Sequence, residues 1–223
     1  PLSTKTGPQQ ALFQQLALVA RALGSAARLE LLDFLAQGER TVDALASVSG
    51  LSVANTSKHL QQLRQAGLVV ARRDGVHIHY RLSGDDVLEA IAALRTLAQG
   101  HLAKVDHLVA SYLTKMDSLE PLPAVELLER AAGGLVTVLD VRPEEEYLQG
   151  HVAGARNIPL ERLEEALGSL PRDREIVAYC RGPWCVLSFD AVVRLRAAGF
   201  TAHRLRDGLP EWRRAGLPLE TGP

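Results

Sequence analysis

The sequence predicts two domains, a mainly helical one followed by an α/β one with a parallel sheet. Up to about Asp117, apolar residues recur at the spacing of amphipathic helices, with one short hairpin pattern among them. From about Leu135, short apolar runs suited to buried parallel strands alternate with helical segments. Prolines in the stretch 118–123 separate the two patterns, because proline lacks a backbone donor and disfavours helix in the residue before it. We therefore predict domains at residues 9–117 and 121–220.

The composition is that of a globular protein able to bury sizeable cores. Of its 223 residues, 47% are hydrophobic and 23% are charged. No apolar run approaches the roughly 20 residues that a membrane span needs, and no signal peptide is recognisable. We expect a cytoplasmic location and no membrane partner. The net charge is −1, so any binding of nucleic acid must depend on a local basic patch.

The helical half has the element order of a DNA-binding module. Helical segments are predicted at residues 9–23, 25–37, 41–50, 52–66 and 84–116. Ser25, Thr41 and Ser52 are residue types that cap helix N termini. Before the last helix, two β-runs are joined by Asp74-Gly75, a strong hairpin signal. Two short helices followed by a hairpin are typical of a winged helix-turn-helix, whose second helix enters the major groove of DNA.

Charge and side-chain type support an interaction with DNA. Residues 52–81 contain five Lys and Arg residues against one Asp, a net charge of +4 in a chain of −1. The polar face of segment 52–66 offers hydroxyl and amide groups, which suit phosphates and base edges. The predicted DNA contacts are Ser52, Asn55, Ser57, Lys58, Gln61, Arg72, Arg73 and His77. A solvated helix face is the alternative interpretation, since polar helix faces are ordinary.

The α/β half contains both cysteines of the chain, Cys180 and Cys185, in the sequence CRGPWC. Cys180 ends an apolar run, and a helical segment begins near Val186. Such a loop points backbone N–H groups and the positive end of the helix dipole at its centre, which predicts a lowered pKa and a nucleophilic thiolate for Cys180. We assign the catalytic role to Cys180, Cys185 and Arg181. The substrate loop is completed by Gly182, Pro183, Trp184 and Val186.

The stretch LASVSGLSVANTSKHLQQLRQAGLVVARRDGVHIHYRL closely resembles the ArsR family of repressors. This resemblance covers residues 10–117 and implies operator DNA as the partner. It also implies a homodimer through the first and last helices, residues 10–23 and 84–116. ArsR-type repressors usually sense a metal, a metalloid or a sulfur species, but the DNA-binding half has no cysteine. His101 and His107 are six positions apart and do not share a helix face, so we expect no metal site.

The stretch VLDVRPEEEYLQGHVAGARNIPL resembles the rhodanese family of sulfurtransferases, and the match extends over residues 121–220. CRGPWC occupies the six-residue active loop, so the resemblance makes Cys180 the sulfur-accepting cysteine. It gives Asp140, Arg142 and His151 a structural role. Related phosphatases and arsenate reductases place Arg where this chain has Val186, which argues against both activities.

Three functions remain open at this point. We favour a repressor in which persulfidation of Cys180 alters DNA binding and Cys185 acts as resolving thiol. The alternatives are a bifunctional sulfurtransferase tethered to DNA, and an arsenite- or metal-responsive repressor that uses both cysteines as ligands. The sulfur donor is expected to be a persulfide, a polysulfide or thiosulfate. Thiosulfate fits least well, because thiosulfate-using members often line the loop with more cations than Arg181 alone. No cofactor is expected.

Overall fold

The chain divides into two compact units, one ending at Ala92 and the other beginning at Ala93. The computed structural model describes residues 7–114 and 121–223, with side chains left out for 112–114. The division falls inside a helix, whereas the sequence placed it at the prolines of 118–123. Most of that linker and the predicted domain end at residue 117 lie outside the described residues. The boundaries 9–117 and 121–220 therefore stay predictions.

The first unit is a helical domain with a three-stranded antiparallel sheet. Its elements are α1 (Pro8–Leu23), α2 (Ala26–Gln37), β1 (Arg40–Thr41), α3 (Val42–Ser49), α4 (Val53–Gln65), β2 (Val69–Asp74), β3 (His77–Leu82) and the start of α5 (Asp85–His101). The Thr41 hydroxyl accepts from the Ala44 N–H and the Ser52 hydroxyl from the Asn55 N–H, so these two predicted caps are confirmed. Ser25 stands at the N-cap of α2, but its side chain makes no capping hydrogen bond. Gly50 ends α3 with φ +70°, a conformation that glycine adopts without strain.

The core of this unit fixes α3 and α4 against α2. Its fully buried leucines are Leu31, Leu32, Leu45, Leu60 and Leu63. Thr56 joins them on the inner face of α4, which leaves the opposite face of that helix to solvent. The order of helix pair and hairpin confirms the predicted winged helix-turn-helix.

Two details of this half differ from the prediction. The strands pair Asp74 with His77, so the two-residue loop is Gly75-Val76 and not Asp74-Gly75. Gly75 has φ +59° and supplies the positive φ that a tight hairpin needs. The predicted helix 84–116 is interrupted at Leu102, where extended backbone separates α5 from α6 (Ala103–Leu108). A π-helix follows at Val109–Thr114.

The second unit contains the predicted parallel sheet. Its elements from the linker onward are α7 (Ala124–Ala132), β4 (Val136–Asp140), α8 (Glu144–Gln149), β5 (His151–Val152), β6 (Arg156–Asn157), α9 (Leu163–Ala166), β7 (Glu175–Tyr179), α10 (Val186–Ala197), β8 (Ala202–Arg204), α11 (Leu209–Arg214) and β9 (Leu219–Glu220). Short 3₁₀ helices flank α9. The strand order is β6-β4-β7-β8, with every neighbouring pair parallel, and β5 pairs with β9 in a separate antiparallel ribbon.

Strand β7 lies inside the sheet, which explains its composition. Ile176, Val177, Ala178 and Tyr179 are all fully buried, as expected of a parallel strand covered on both faces. Ile176 and Ala178 pack in one apolar cluster, while Val177 and Tyr179 pack in another. The chain leaves the carboxyl end of β7 at Cys180, the edge of an α/β sheet where ligands bind.

None of the helices in the described residues combines the length and the hydrophobicity that a membrane span requires.

Candidate functional site

The cysteine loop connects the buried end of β7 to the first turn of α10. Cys180 is only 2% exposed and joins the apolar core, whereas Cys185 is half-buried and occupies the N-cap of α10. The Cys185 N–H donates to the Gly182 carbonyl at 3.0 Å, which closes the loop into a turn. Trp184 and Val186 are exposed on its outer side. The structure thus brings every predicted loop residue into one compact segment.

The two thiols have opposite environments. Burial raises the pKa of Cys180 well above its ordinary value, and its contact with Cys185 adds to the increase. The pKa of Cys185 is lowered to about 7, chiefly because the Cys180 thiol donates a hydrogen bond to it. Backbone N–H groups of Leu187 and Arg181 and the positive charge of Arg181 act in the same direction.

The predicted thiolate at Cys180 is therefore wrong for the reduced loop, and Cys185 is the thiol closer to ionisation. The prediction assumed that the loop exposes its first cysteine to converging N–H groups. Instead, the Cys180 sulfur lies 3.4 Å from the Cys185 carbonyl and 3.1 Å from the Ser188 hydroxyl, beneath the loop surface.

Arg181, the loop's cation, is held by a buried carboxylate. Its guanidinium donates to both oxygens of Glu146 at 2.7 to 3.1 Å, and the Glu146 side chain is 1% exposed. Glu146 lies on α8, so this pair ties α8 to the cysteine loop. The charge of Arg181 is thereby compensated before any ligand arrives.

A second buried network fixes the strand ends beneath the loop. Arg142 forms a fully buried ion pair with Asp140 at 2.6 Å and donates to the Gly150 carbonyl at 2.8 Å. The Tyr179 hydroxyl, one residue before Cys180, donates to Asp140 at 2.6 Å and accepts from the Val152 N–H. Burial and the Asp140 charge raise the pKa of Tyr179, which keeps this donor protonated. Asp140 and Arg142 therefore have structural partners.

The loop also rests on the residues before α11. A methyl group added at Gly208 would clash with the Arg181 carbonyl and the Gly182 nitrogen, so this close approach requires glycine. The Gly208 N–H donates to Glu211, and Glu211 in turn accepts from Arg95 at 3.4 Å. Arg95 belongs to the same compact unit, and its guanidinium carbon lies 5.2 Å from the Trp184 ring centroid.

The predicted DNA contacts lie on α4 and on the β2–β3 hairpin. Seven of the eight are exposed, namely Ser52, Asn55, Lys58, Gln61, Arg72, Arg73 and His77, while Ser57 is half-buried. Arg72 is the one whose charge is most compensated, because it pairs with Glu39 at 2.6 Å and with Asp74 at 3.1 Å. These two carboxylates reduce the positive charge that the hairpin presents.

Comparisons with known proteins agree with this architecture. The family model "Bacterial regulatory protein, arsR family" matches residues 25–70, and the model "Rhodanese-like domain" matches residues 123–215. The HTH-type transcriptional regulator Rv0324 of Mycobacterium tuberculosis is 46% identical over 212 residues, which are 95% of this chain and 93% of that protein. The chain is an ArsR-family transcriptional regulator with a rhodanese-like domain.

Each half of this ArsR-family regulator also has relatives of its own. A sulfurtransferase of Allochromatium vinosum is 32% identical over 85 residues, 38% of this chain and 78% of that protein. The homodimeric winged helix-turn-helix DNA-binding domain Mb0332 of Mycobacterium bovis is similar at 40% identity, covering 45% of this chain and 94% of that chain with a TM-score of 0.41.

Sequence reasoning missed how the regulator's cysteine loop is supported. Glu146 lies in the stretch that resembles the rhodanese family, but nothing in its spacing, or in that of Gly208, predicts that both contact the segment Arg181-Gly182. Ser188 carries no motif at all. Among the described residues, no group of three or more His, Cys, Asp and Glu side chains is placed to hold a metal ion.

Proposed function

We propose that this ArsR-family regulator is a repressor whose operator binding responds to reactive sulfur species through Cys180 and Cys185. The observation that carries the proposal is that the chain's two cysteines lie in one loop, where the Cys180 sulfur is 3.4 Å from the Cys185 carbonyl oxygen. Two thiols of one loop can pass between the reduced, persulfide and disulfide states. The DNA-binding half has no cysteine, so a thiol-based response must begin in this loop.

The charge of the loop indicates the class of donor. Thiosulfate carries two negative charges and needs an uncompensated cation, but the guanidinium of Arg181 already binds both oxygens of Glu146. Within residues 180–186, Arg181 is the only cation. A polysulfide or persulfide, whose transferable sulfur carries little charge, therefore suits the loop better than thiosulfate.

Through Trp184, a change in the covalent state of the two cysteines would alter the contacts that Arg95 of α5 makes. A covalent bond between the cysteines would pull the first turn of α10 and shift Trp184, which lies between them in sequence. Arg95 on α5 contacts both the Trp184 ring and Glu211, so its environment would change with the loop. A contact that differs between two states is what a coupling free energy requires.

The proposal includes a homodimer bound to an operator. On α1, apolar side chains are exposed in the single chain, among them Leu12 at 70% and Leu16 at 62%. Neighbouring exposed leucines on one helix are typical of a surface that a second copy covers. The same reasoning applies to Leu97 on α5, at 57%. Operator binding would place the protein in the cytoplasm.

The test is operator affinity, measured by fluorescence anisotropy on a duplex that the protein selects from random-sequence DNA. Sodium tetrasulfide should weaken the binding of wild type and leave that of the double variant Cys180→Ser/Cys185→Ser unchanged. Release by arsenite but not by tetrasulfide would contradict the proposal and favour a metalloid-responsive repressor. Steady sulfur transfer to an acceptor thiol with unchanged operator affinity would favour a tethered sulfurtransferase.

A further inference from the structure

We propose that Arg28 is a positioning residue for DNA binding, because its guanidinium ties the last turn of α4 to the end of α1. Arg28 is half-buried and lies in the first turn of α2. The inference goes beyond the sulfur response, since it concerns the affinity for operator DNA when no sulfur donor is present.

The guanidinium of Arg28 donates in three directions. Its Nε donates to the Ala22 carbonyl at 2.6 Å, and its Nη2 donates to the Arg21 carbonyl at 2.6 Å. Its Nη1 donates to the side-chain oxygen of Gln62 at 2.7 Å, across 34 positions of sequence. Arg21 and Ala22 belong to the last turn of α1, whereas Gln62 belongs to the last turn of α4. One planar group on α2 therefore joins α1 to α4.

The position of this cation is unfavourable for its own helix. The N terminus of a helix carries partial positive charge, so an arginine in the first turn of α2 opposes the α2 dipole. The last carbonyls of α1 have no N–H partner within that helix and carry partial negative charge, which the Arg28 guanidinium offsets. Arg28 is thus placed for its contacts with other helices and not for the stability of α2.

The bond to Gln62 restrains the face of α4 that is predicted to contact DNA. Gln62 follows Gln61 and lies one helical turn after Lys58, and all three side chains are exposed. Two carbonyls of α1 hold the Arg28 guanidinium, so Gln62 accepts from a donor that is already fixed. Gln62 is therefore ordered before DNA arrives, which removes the entropy cost of ordering it on binding. Arg28 acts on DNA binding through Gln62.

The experiment measures the affinity of the full chain, without sulfur donor, for the selected operator and for a scrambled duplex of the same length. Arg28→Lys keeps the charge but lacks the planar fork that reaches both helices. Its operator affinity should fall about fivefold, the cost of ordering one long side chain on binding. Gln62→Ala should lose the same amount, and the double variant should lose no more than either single variant. The affinity for the scrambled duplex should stay unchanged, since phosphate contacts determine it.

Arg21→Lys is the matched control, because it makes the same substitution at an exposed side chain and keeps the carbonyl to which Arg28 donates. It should bind both duplexes as wild type does. Circular dichroism confirms the fold of each variant, and a merely structural role would lower the affinity for both duplexes together.

Wild-type operator affinity in Arg28→Lys would overturn the proposal, because the charge alone would then suffice. Additive losses in the double variant would also overturn it, since Arg28 and Gln62 would then act separately. Arg28→Ala distinguishes a direct contact with DNA. A decrease of about one unit in its slope of log affinity against log salt would assign Arg28 to a phosphate and not to Gln62.

Discussion

The DNA-facing surface of α4 and the cysteine loop constrain their polar side chains in different ways. On α4, Asn55, Lys58 and Gln61 are exposed, while buried residues on the opposite face hold the helix in place. In the loop, Cys180 and Arg181 are each held by partners from neighbouring segments. We therefore expect the effects of substitutions on α4 to be additive. In the loop, a substitution of one residue should change the effect of substituting its neighbours.

The largest expected effect is at the loop's tightest contact. Gly208→Ala places a methyl group against the Arg181 backbone, and we expect a loss of about 3 kcal/mol in the free energy of unfolding. Denaturant unfolding measures it, and tetrasulfide loading should fall in parallel. Gly168→Ala is the matched control, because nothing lies within 4 Å of an added methyl group there. Equal stability of the two variants would show that the loop does not depend on this close approach.

A smaller effect is expected from removing the carboxylate partner of Arg181. Glu146→Gln removes the negative charge of the buried carboxylate that binds the Arg181 guanidinium, so we expect a loss of about 2 kcal/mol in the free energy of unfolding. The less compensated Arg181 should also increase the rate of sulfur uptake from thiosulfate relative to tetrasulfide. The exposed Glu144→Gln on the same helix is the control. If the ratio of the uptake rate from thiosulfate to that from tetrasulfide is the same in Glu146→Gln as in wild type, the argument that Glu146 compensates the Arg181 charge is contradicted.

The ionisation of Cys185 should make its rate of alkylation depend on pH. Its pKa is lowered to about 7, so alkylation by iodoacetamide should increase through pH 7 and level off above it. The facing groups are the Cys180 thiol and the Arg181 guanidinium. Because the Cys180 hydrogen bond is the largest cause, Cys180→Ala should move the midpoint upward. Peptide mass spectrometry at each pH assigns the alkylated cysteine, and a midpoint that stays in place would refute this cause.

The smallest effects are expected on the DNA-facing surface. Lys58→Ala should lower the slope of log affinity against log salt by about one unit, as for one lost phosphate contact. Arg72→Ala should change the slope less, since Glu39 and Asp74 already compensate the Arg72 charge. Operator titrations over a range of salt concentrations compare them. A larger change in this slope for Arg72→Ala than for Lys58→Ala would mean that DNA phosphates replace Glu39 and Asp74 as the partners of Arg72.

Sequence patterns predicted the architecture, because periodicity, caps and strand composition are local properties. Thr41 and Ser52 act as caps, and β7 is a buried parallel strand, as expected. The opposite pKa shifts of the two thiols were not predictable, since they depend on burial and on hydrogen bonds that form only in the folded loop. The contact of Arg181 with Glu146 joins residues that are 35 positions apart in the sequence. No local pattern in a single sequence indicates a contact between residues so far apart.

The most direct test of the central claim compares operator affinity before and after tetrasulfide in wild type, Cys180→Ser and Cys185→Ser. If a bond between the two thiols is the signal, only wild type should lose affinity, and a reductant should restore it. Cys180→Ser and Cys185→Ser each lack one partner of that bond and should keep their operator affinity. An equal loss of affinity in either variant would show that a persulfide on the remaining thiol is the signal. Unchanged affinity in all three proteins, with wild type fully converted to the disulfide, would contradict the account.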